Sequence, residues 1–436
     1  MVSKEDLQLL TDELTQRFEE GYDPGRLSDR ITSLRKRKEV SSGELEEIWL
    51  EFDQLRPRSQ FQYVEPSTLE EIRRTRPMGP ISARAHFSSD QLRDKILGAW
   101  LGRCAGCMLG KPVEGWRSRK IEEYLRLANS YPLDNYFPKL AEAPKDLKMR
   151  PIDERALLGN IRGMVRDDDI DYMILNLHIL ETYGSRFKTS EVAEEWLTHL
   201  PYFQVYTAER VAMRNLVNGL RPSKSGSFRN PYREWIGAQI RADLWGYVAP
   251  GNPEAAVKYA FRDAYLSHRK NGIYGEMLVA AMISWAFTSS DIGEVLEVGL
   301  SSIPANSRLA KAISDVKSWY ETRQDWKSTL QRIEEKYGRY HWIHVINNAA
   351  ILVLSLLHGN GDFERTICTA VMGGLDTDCN GATAGSILGA ILGAKALPSK
   401  WVRPLGEVIE TSLSGLQVEN ISKLAKRTLK QAHFGA

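Results

Sequence analysis

Asp376 and Asp378 stand two residues apart in "MGGLDTDCNGATAGSILGAILGA" (372–394), ahead of a run of Gly, Ala and small aliphatics. A second acidic group, Asp167, Asp168 and Asp169, sits in "GMVRDDDIDYMILNL" just before an apolar periodic segment. Like charges about 4 Å apart repel by about 4 kcal/mol at an effective dielectric near 20. If the two turns converge, their carboxylates need protons or cations to stay together. Hard oxygen donors of this kind suit Mg²⁺, Mn²⁺ or Ca²⁺ far better than zinc, and two acidic groups leave room for two ions. Each group alone also has a plainer reading. Asp ahead of a helix caps its free N–H groups and complements the macrodipole, so the 167–169 group by itself is equally a cap or a solvated turn.

Two further segments carry candidate chemistry. In "ILGAWLGRCAGCMLGKPVEGW" (96–116), Gly98, Gly102, Gly106 and Gly110 recur every four residues. Such a stripe lets two helix backbones approach closely. Because Arg103 and Lys111 interrupt it, close packing inside a water-soluble core is the better reading than membrane packing. Glu114 follows Lys111-Pro112 on a loop, where a glutamate is ordinarily just exposed. Cys104 and Cys107 form a C-x-x-C with no strand before it, which favours helix packing over redox chemistry. In "DAYLSHRKNGIYGEMLVAAMISWAF" (263–287), His268, Arg269, Asn271 and Tyr274 occupy a Gly-containing connection. That connection either offers donors to a sugar or phosphate or is an ordinary helix–helix turn.

The elements that must position these residues are helices. Ile170, Met173, Ile174, Leu177 and Leu180 recur at three and four, with Gly184 as a stop. Asn252-Pro253 reads as a cap and first-turn proline, and period-two β-branched runs are scarce. The pattern predicts an all-α fold. The chain has 436 residues, 42% of them hydrophobic, enough to bury a sizeable core. Residues 1–85 differ in composition: charged amphipathic helices with few small residues, then a Pro-marked polar stretch. A boundary is therefore expected near residue 85, giving a helical extension (1–85) and a main domain (86–436). The extension holds none of the motif residues, so a chain starting near Ser88 is expected to bind ions without it. The extension itself is free to cap the domain, gate the cleft or recruit a protein partner.

Net charge is +2, from 58 basic and 56 acidic residues, which gives no reason to expect nucleic acid or an anionic membrane as partner. No apolar run approaches the roughly 20 residues of a membrane span. The start, "MVSKEDLQLLTDEL", does not read as a signal peptide. Four cysteines in a chain this long make no disulfide scaffold, so a cytoplasmic setting is expected.

Taken in order, "GAWLGRCAGCMLGKPVE", "RDDDIDYM" and "GGLDTDCNGATAGSILGA" resemble the motifs of the ADP-ribosylglycohydrolase family: a "GxxxGxxxGDxxGxxxE" opening, a "TDDT" before a helix and a late "GGDTDTNAAxAGAxxGA". The resemblance covers about residues 90–400. It implies a compact orthogonal helical domain with a binuclear Mg²⁺ centre (Mn²⁺ as a substitute) that cleaves glycosidic bonds to ADP-ribose, in a small molecule or an ADP-ribosylated target. By position it implies metal ligation by Asp167, Asp168, Asp169, Asp376, Asp378 and Cys379. It also implies a catalytic pair of Glu114 and Asp168, with His268, Arg269, Asn271 and Tyr274 toward the distal substrate. The sequence departs from the family at Cys107 (usually Asp), Asp167 and Ile170 (usually Thr), Leu375 (inserted) and Cys379 (usually Thr). These departures mark a distinct branch. The alternative on the same scaffold is a non-catalytic binding or structural protein, as in the lens crystallins of this family; a third is an interaction protein acting through its extension.

Overall fold

Helix caps mark where the main elements begin. Ser3, Ser41 and Ser88 each accept from the backbone N–H three residues on, and Asp6, Glu44 and Gln91 return the bond. The computed structural model describes residues 2–37, 39–80, 82–83 and 87–432. The boundary expected near residue 85 lies outside these residues. The helices used below are α1 (Lys4–Glu19), α2 (Leu27–Arg35), α3 (Ser42–Gln54), α4 (Ser89–Gly110), α5 (Asp168–Tyr183), α6 (Thr189–His199), α7 (Asn271–Ala286), α8 (Val345–Gly359) and α9 (Thr377–Leu392). The chain is mostly helical, as predicted. Among the described residues the strands are Val408–Glu410 and Val418–Asn420, antiparallel with Ile409 opposite Glu419.

The glycine stripe of α4 packs against a matching stripe on α9. A Cβ on Gly98, Gly102 or Gly106 would penetrate the backbone oxygen of Gly389, Gly385 or Gly381 respectively, and one on Gly110 that of Thr377. The early end of one stripe meets the late end of the other, so the helices run antiparallel. This brings the start of α9, with Asp376 and Asp378, beside the end of α4, with Lys111 and Glu114. Cys104 and Cys107 are buried free thiols in this packing, and burial pushes the Cys104 thiol up to about 12.

Most of the apolar core forms one continuous cluster. A second, smaller cluster (Leu10, Ile31, Ile48, Phe52) lies within α1–α3 and reaches the body through Val211. Around it is a buried network of ion pairs. Arg233 holds Glu13 (2.7 Å) and Glu20 (2.8 Å), and Arg308 holds Glu65 and Glu234, each at 2.7 Å. Gln16 on α1 donates to Glu234 at 2.6 Å. The first 67 residues are thus keyed into the body by charge as well as by apolar contact. These contacts tie the extension to the body.

Candidate metal centre and cleft

The approach to α9 is a tight turn. Gly374 (φ 77°) and Leu375 (φ 69°) are both left-handed, a conformation that costs a residue with a Cβ about 1–3 kcal/mol. It is held by Leu375 N–H donating to Trp116 O and Gly115 N–H donating to Leu375 O, both at 2.8 Å. The Asp376 N–H donates to Asn348 Oδ1 (3.1 Å), which also accepts from Asn380 (2.8 Å). Thr377 Oγ1 donates to Gly110 O at 2.7 Å. The inserted Leu375 therefore sets the turn from which Asp376 enters the site, and Asn348 at the start of α8 fixes its backbone.

The first acidic group opens α5. Asp167 is the N-cap, its Oδ1 accepting from Asp169 N–H (3.0 Å) and its Oδ2 from Lys111 Nζ (2.5 Å). Burial opposes its charge, but Lys111 outweighs burial and lowers its pKa. Asp169 Oδ1 pairs with the wholly buried Arg103 at 3.0 Å, and its Oδ2 accepts from the Cys379 thiol, also at 3.0 Å. Asp168 is half-buried and makes no ion pair with a described residue. Arg166 attracts it but is tied to Asp171 at 2.9 Å.

Asp376 and Asp378 are buried and make no ion pair with a described residue. Burial, then Glu114, raises Asp376 to about 7; burial, then Glu114 and Asp167, raises Asp378 well above the carboxylate range. Burial and Asp167 raise Asp168 to about 8. Burial, aided by Asp169, pushes the Cys379 thiol well above its ordinary value, so it donates rather than ligates in the metal-free chain. Two donor sets result: Glu114–Asp376–Asp378 and Asp169–Asp378–Cys379, each with ligand atoms within 4.8 Å of one another. Asp378 is common to both, and its buried Oδ1 has no hydrogen-bond partner. An oxygen-dominated set with an orphaned carboxylate oxygen fits hard divalent cations.

These residues floor a cleft of about 670 Å³. Lys111, Arg150, Arg155 and Arg166 stand on its walls, with Tyr206 and Trp342. Arg150 pairs with Glu114 at 2.7 Å.

Among the residues singled out from sequence, the structure gathers Glu114, Asp167, Asp168, Asp169, Asp376, Asp378 and Cys379 at the cleft. Asp167 serves as the cap of α5 and the partner of Lys111. The substrate set needs correction. His268, Arg269, Asn271 and Tyr274 are buried and line no part of this cleft; residues 65 and 66 cover Asn271 and Tyr274, and His268 meets the Ser267 hydroxyl at 2.8 Å. Asn271 donates to Glu65 and Glu234, each at 2.8 Å, and the Tyr274 hydroxyl donates to Pro66 O. Arg269 is spent on the carbonyls of His268 and Ser223. The cations Arg103 and Lys111 were visible only as breaks in the glycine stripe. A charge inside a buried helix requires a buried counter-charge, and that was the signal for their pairing.

The chain matches the family model described as ADP-ribosylglycohydrolase over residues 88–434. It is 25% identical over 326 residues to an uncharacterized protein of Archaeoglobus fulgidus, covering 72% of this chain and 92% of that one. A solved structure described as an ADP-ribosylglycohydrolase-related protein complex is similar with TM-score 0.51 and 19% identity, over 79% of this chain and 100% of that one. At that identity the likeness shows the fold alone. This chain belongs to the ADP-ribosylglycohydrolase family, with α1–α3 outside the matched region.

Proposed function

We propose that this member of the ADP-ribosylglycohydrolase family is a metal-dependent hydrolase of a ribosyl glycosidic bond, acting on an ADP-ribosyl or related substrate in the 670 Å³ cleft. One observation carries the reading: Asp376 and Asp378 are buried, converge with Glu114 within 4.8 Å and make no ion pair with a described residue. Asp168, Asp169, Asp376 and Asp378 would hold a pair of ions, Mg²⁺ first and Mn²⁺ second, with Cys379 a weak or absent ligand to either. Such ions supply neutralisation of the carboxylates and activation of the attacking water.

The chain's own residues do the rest. Glu114 borders Asp376 and Asp378, and its Oε2 is held by Arg150; it takes the proton of the attacking water. Asp168, half-buried on the cleft wall, shares that proton handling. Cleavage of a glycosidic bond generates oxocarbenium character at the ribose, and the surrounding carboxylates favour that developing positive charge. Lys111, Arg150, Arg155 and Arg166 offer positive charge to a diphosphate, and the Trp342 and Tyr206 rings offer surfaces to a base or ribose.

The test is turnover of ADP-ribosyl-arginine, ADP-ribosyl-serine and simple N-ribosides with Mg²⁺ and with chelator. Chelator-sensitive release of a ribosyl product that disappears in Glu114→Gln supports the reading. Absence of both divalent-ion binding and hydrolysis would leave a non-catalytic scaffold.

A further inference from the structure

Away from the cleft floor, α5 and α6 bring together two imidazoles and a carboxylate. His178 lies about 15 Å along α5 from Asp168 at 1.5 Å per residue. Glu195 and His199 lie one turn apart on α6. The Nε2 atoms of His178 and His199 each stand 3.2 Å from Glu195 Oε2. One donor atom from each of the three residues lies within 4.8 Å of the other two.

Three features separate this cluster from an ordinary surface ion pair. Glu195 is only 7% exposed, and its Oε2 is buried without a hydrogen-bond partner, although both ring nitrogens are close. Neither contact therefore has hydrogen-bond geometry. Ligands 2.0–2.1 Å from a tetrahedral zinc stand roughly 3.3 Å from one another, close to the 3.2 Å from each imidazole nitrogen to the carboxylate oxygen. Next, the outer contacts orient each donor. His199 Nδ1 donates to the Ser414 carbonyl at 2.8 Å. A carbonyl only accepts, so Nδ1 carries a proton, and the neutral ring presents its Nε2 lone pair to the cluster, an arrangement typical of metal-bound histidine. Tyr183 donates to Glu195 Oε1 at 3.0 Å, leaving Oε2 toward the histidines. Finally, the His178 and His199 side chains are 30% and 20% exposed, so solvent reaches the cluster and a water can complete four-coordination.

We infer that His178, Glu195 and His199 form a binding site for one zinc-class divalent cation, distinct from the carboxylate cluster in the cleft. Two imidazoles and one carboxylate suit zinc and its neighbours, whereas an oxygen-only set suits Mg²⁺. The site ties α5 to α6 and, through Ser414, to the segment whose Thr411 and Ser412 line the cleft. Its role is therefore to brace the cleft wall and not to touch substrate.

The full chain is titrated calorimetrically with Zn²⁺ in excess Mg²⁺, beside the variants His178→Ala, His199→Ala and Asp376→Asn. Wild type is expected to bind one Zn²⁺. Both histidine variants should weaken it by at least about tenfold, because loss of even an outer-contact partner costs about that much; Asp376→Asn should leave it unchanged. His199→Ala also breaks the Ser414 bond, so His178→Ala, whose ring makes no other polar contact with a described residue, is decisive. No Zn²⁺ binding by wild type would overturn the inference. So would binding that survives His178→Ala and is lost in Asp376→Asn, since the ion would then belong to the cleft.

Discussion

Two of the carboxylate clusters among the described residues treat their charge differently. Beneath the N-terminal helices, Glu13, Glu20, Glu65 and Glu234 each meet an arginine at 2.7 or 2.8 Å, with Lys270 3.2 Å from Glu20. At the cleft, Lys111 and Arg103 neutralise Asp167 and Asp169, while Asp376 and Asp378 pair with no described cation. The first arrangement pairs these four carboxylates within the chain and holds two parts of it together. The second leaves negative charge that an external cation can satisfy, in a cleft that a ligand can enter. Buried carboxylates are therefore not themselves a functional signal; carboxylates left without a protein cation are.

The contrast is sharpest when one group is removed from each region. Asp376→Asn and Asp168→Asn should each abolish turnover in the hydrolase assay. Apo-protein stability should stay level or rise, because each removes a charge from a repulsive cluster. Unfolding in urea without divalent ions measures the second part, and a clear loss of stability would mean these carboxylates are already compensated within the chain. Arg308→Ala should behave oppositely. It strips the partner of both Glu65 and Glu234, and breaking a buried pair from one side costs about 3–5 kcal/mol. The same urea experiment reads it, and a loss within about 1 kcal/mol would show the network to be dispensable. A chain beginning near Ser88 lacks Glu13, Glu20 and Glu65 and should be destabilised in the same way, as the same urea experiment would read.

A smaller effect concerns pH. Burial would raise Glu20, but Arg233 and Lys270 more than offset it and hold its pKa below the ordinary 4.5; Arg308 does the same for Glu234. A depressed folded-state value means this stabilisation is complete above 4.5 and is lost as pH falls below it. Glu19 works in the other direction. Burial, then Glu234, raises it to about 8, so its contribution is present below 4.5 and disappears as pH rises through about 8. Protection factors of the α1 amides, corrected for the intrinsic pH dependence of exchange, should therefore fall on acidification below 4.5 before those of α4 do. Simultaneous loss of protection in both helices would count against local release of the extension.

The smallest change is expected at Cys379. Its thiol donates to Asp169 at 3.0 Å, a role that a hydroxyl can also fill while offering a harder donor to a cation. Cys379→Thr should keep Mg²⁺ affinity within a few-fold of wild type or improve it, as measured by calorimetry. A loss of turnover beyond about tenfold (roughly 1.4 kcal/mol) in a folded variant would mean the sulfur itself is used.

The helical fold and the acidic turns were legible because both are local: apolar spacing of three and four, caps, and aspartates at helix starts. The α4–α9 contact was half legible, since a glycine stripe announces close approach but not its partner. What escaped was everything fixed by distant neighbours. Asp167 read as a ligand because nothing near it in sequence shows that Lys111 takes its Oδ2. Residues 268–274 read as either a donor loop or a turn, because nothing near Asn271 and Tyr274 in sequence shows that Glu65 and Pro66 cover them. Glu195 and His199 show a helical i, i+4 spacing, but His178 joins them only through the packing of α5 on α6.

Thermal melting with and without Mg²⁺, on wild type and Asp376→Asn side by side, tests most directly whether the cleft carboxylates await a cation. At a hundredfold excess over the dissociation constant, Mg²⁺ should stabilise wild type by about 2.7 kcal/mol, seen as a raised melting temperature, and the rise should shrink or vanish in the variant. An equal rise in both proteins, or none in wild type, would contradict the assignment of Asp376 to a metal centre.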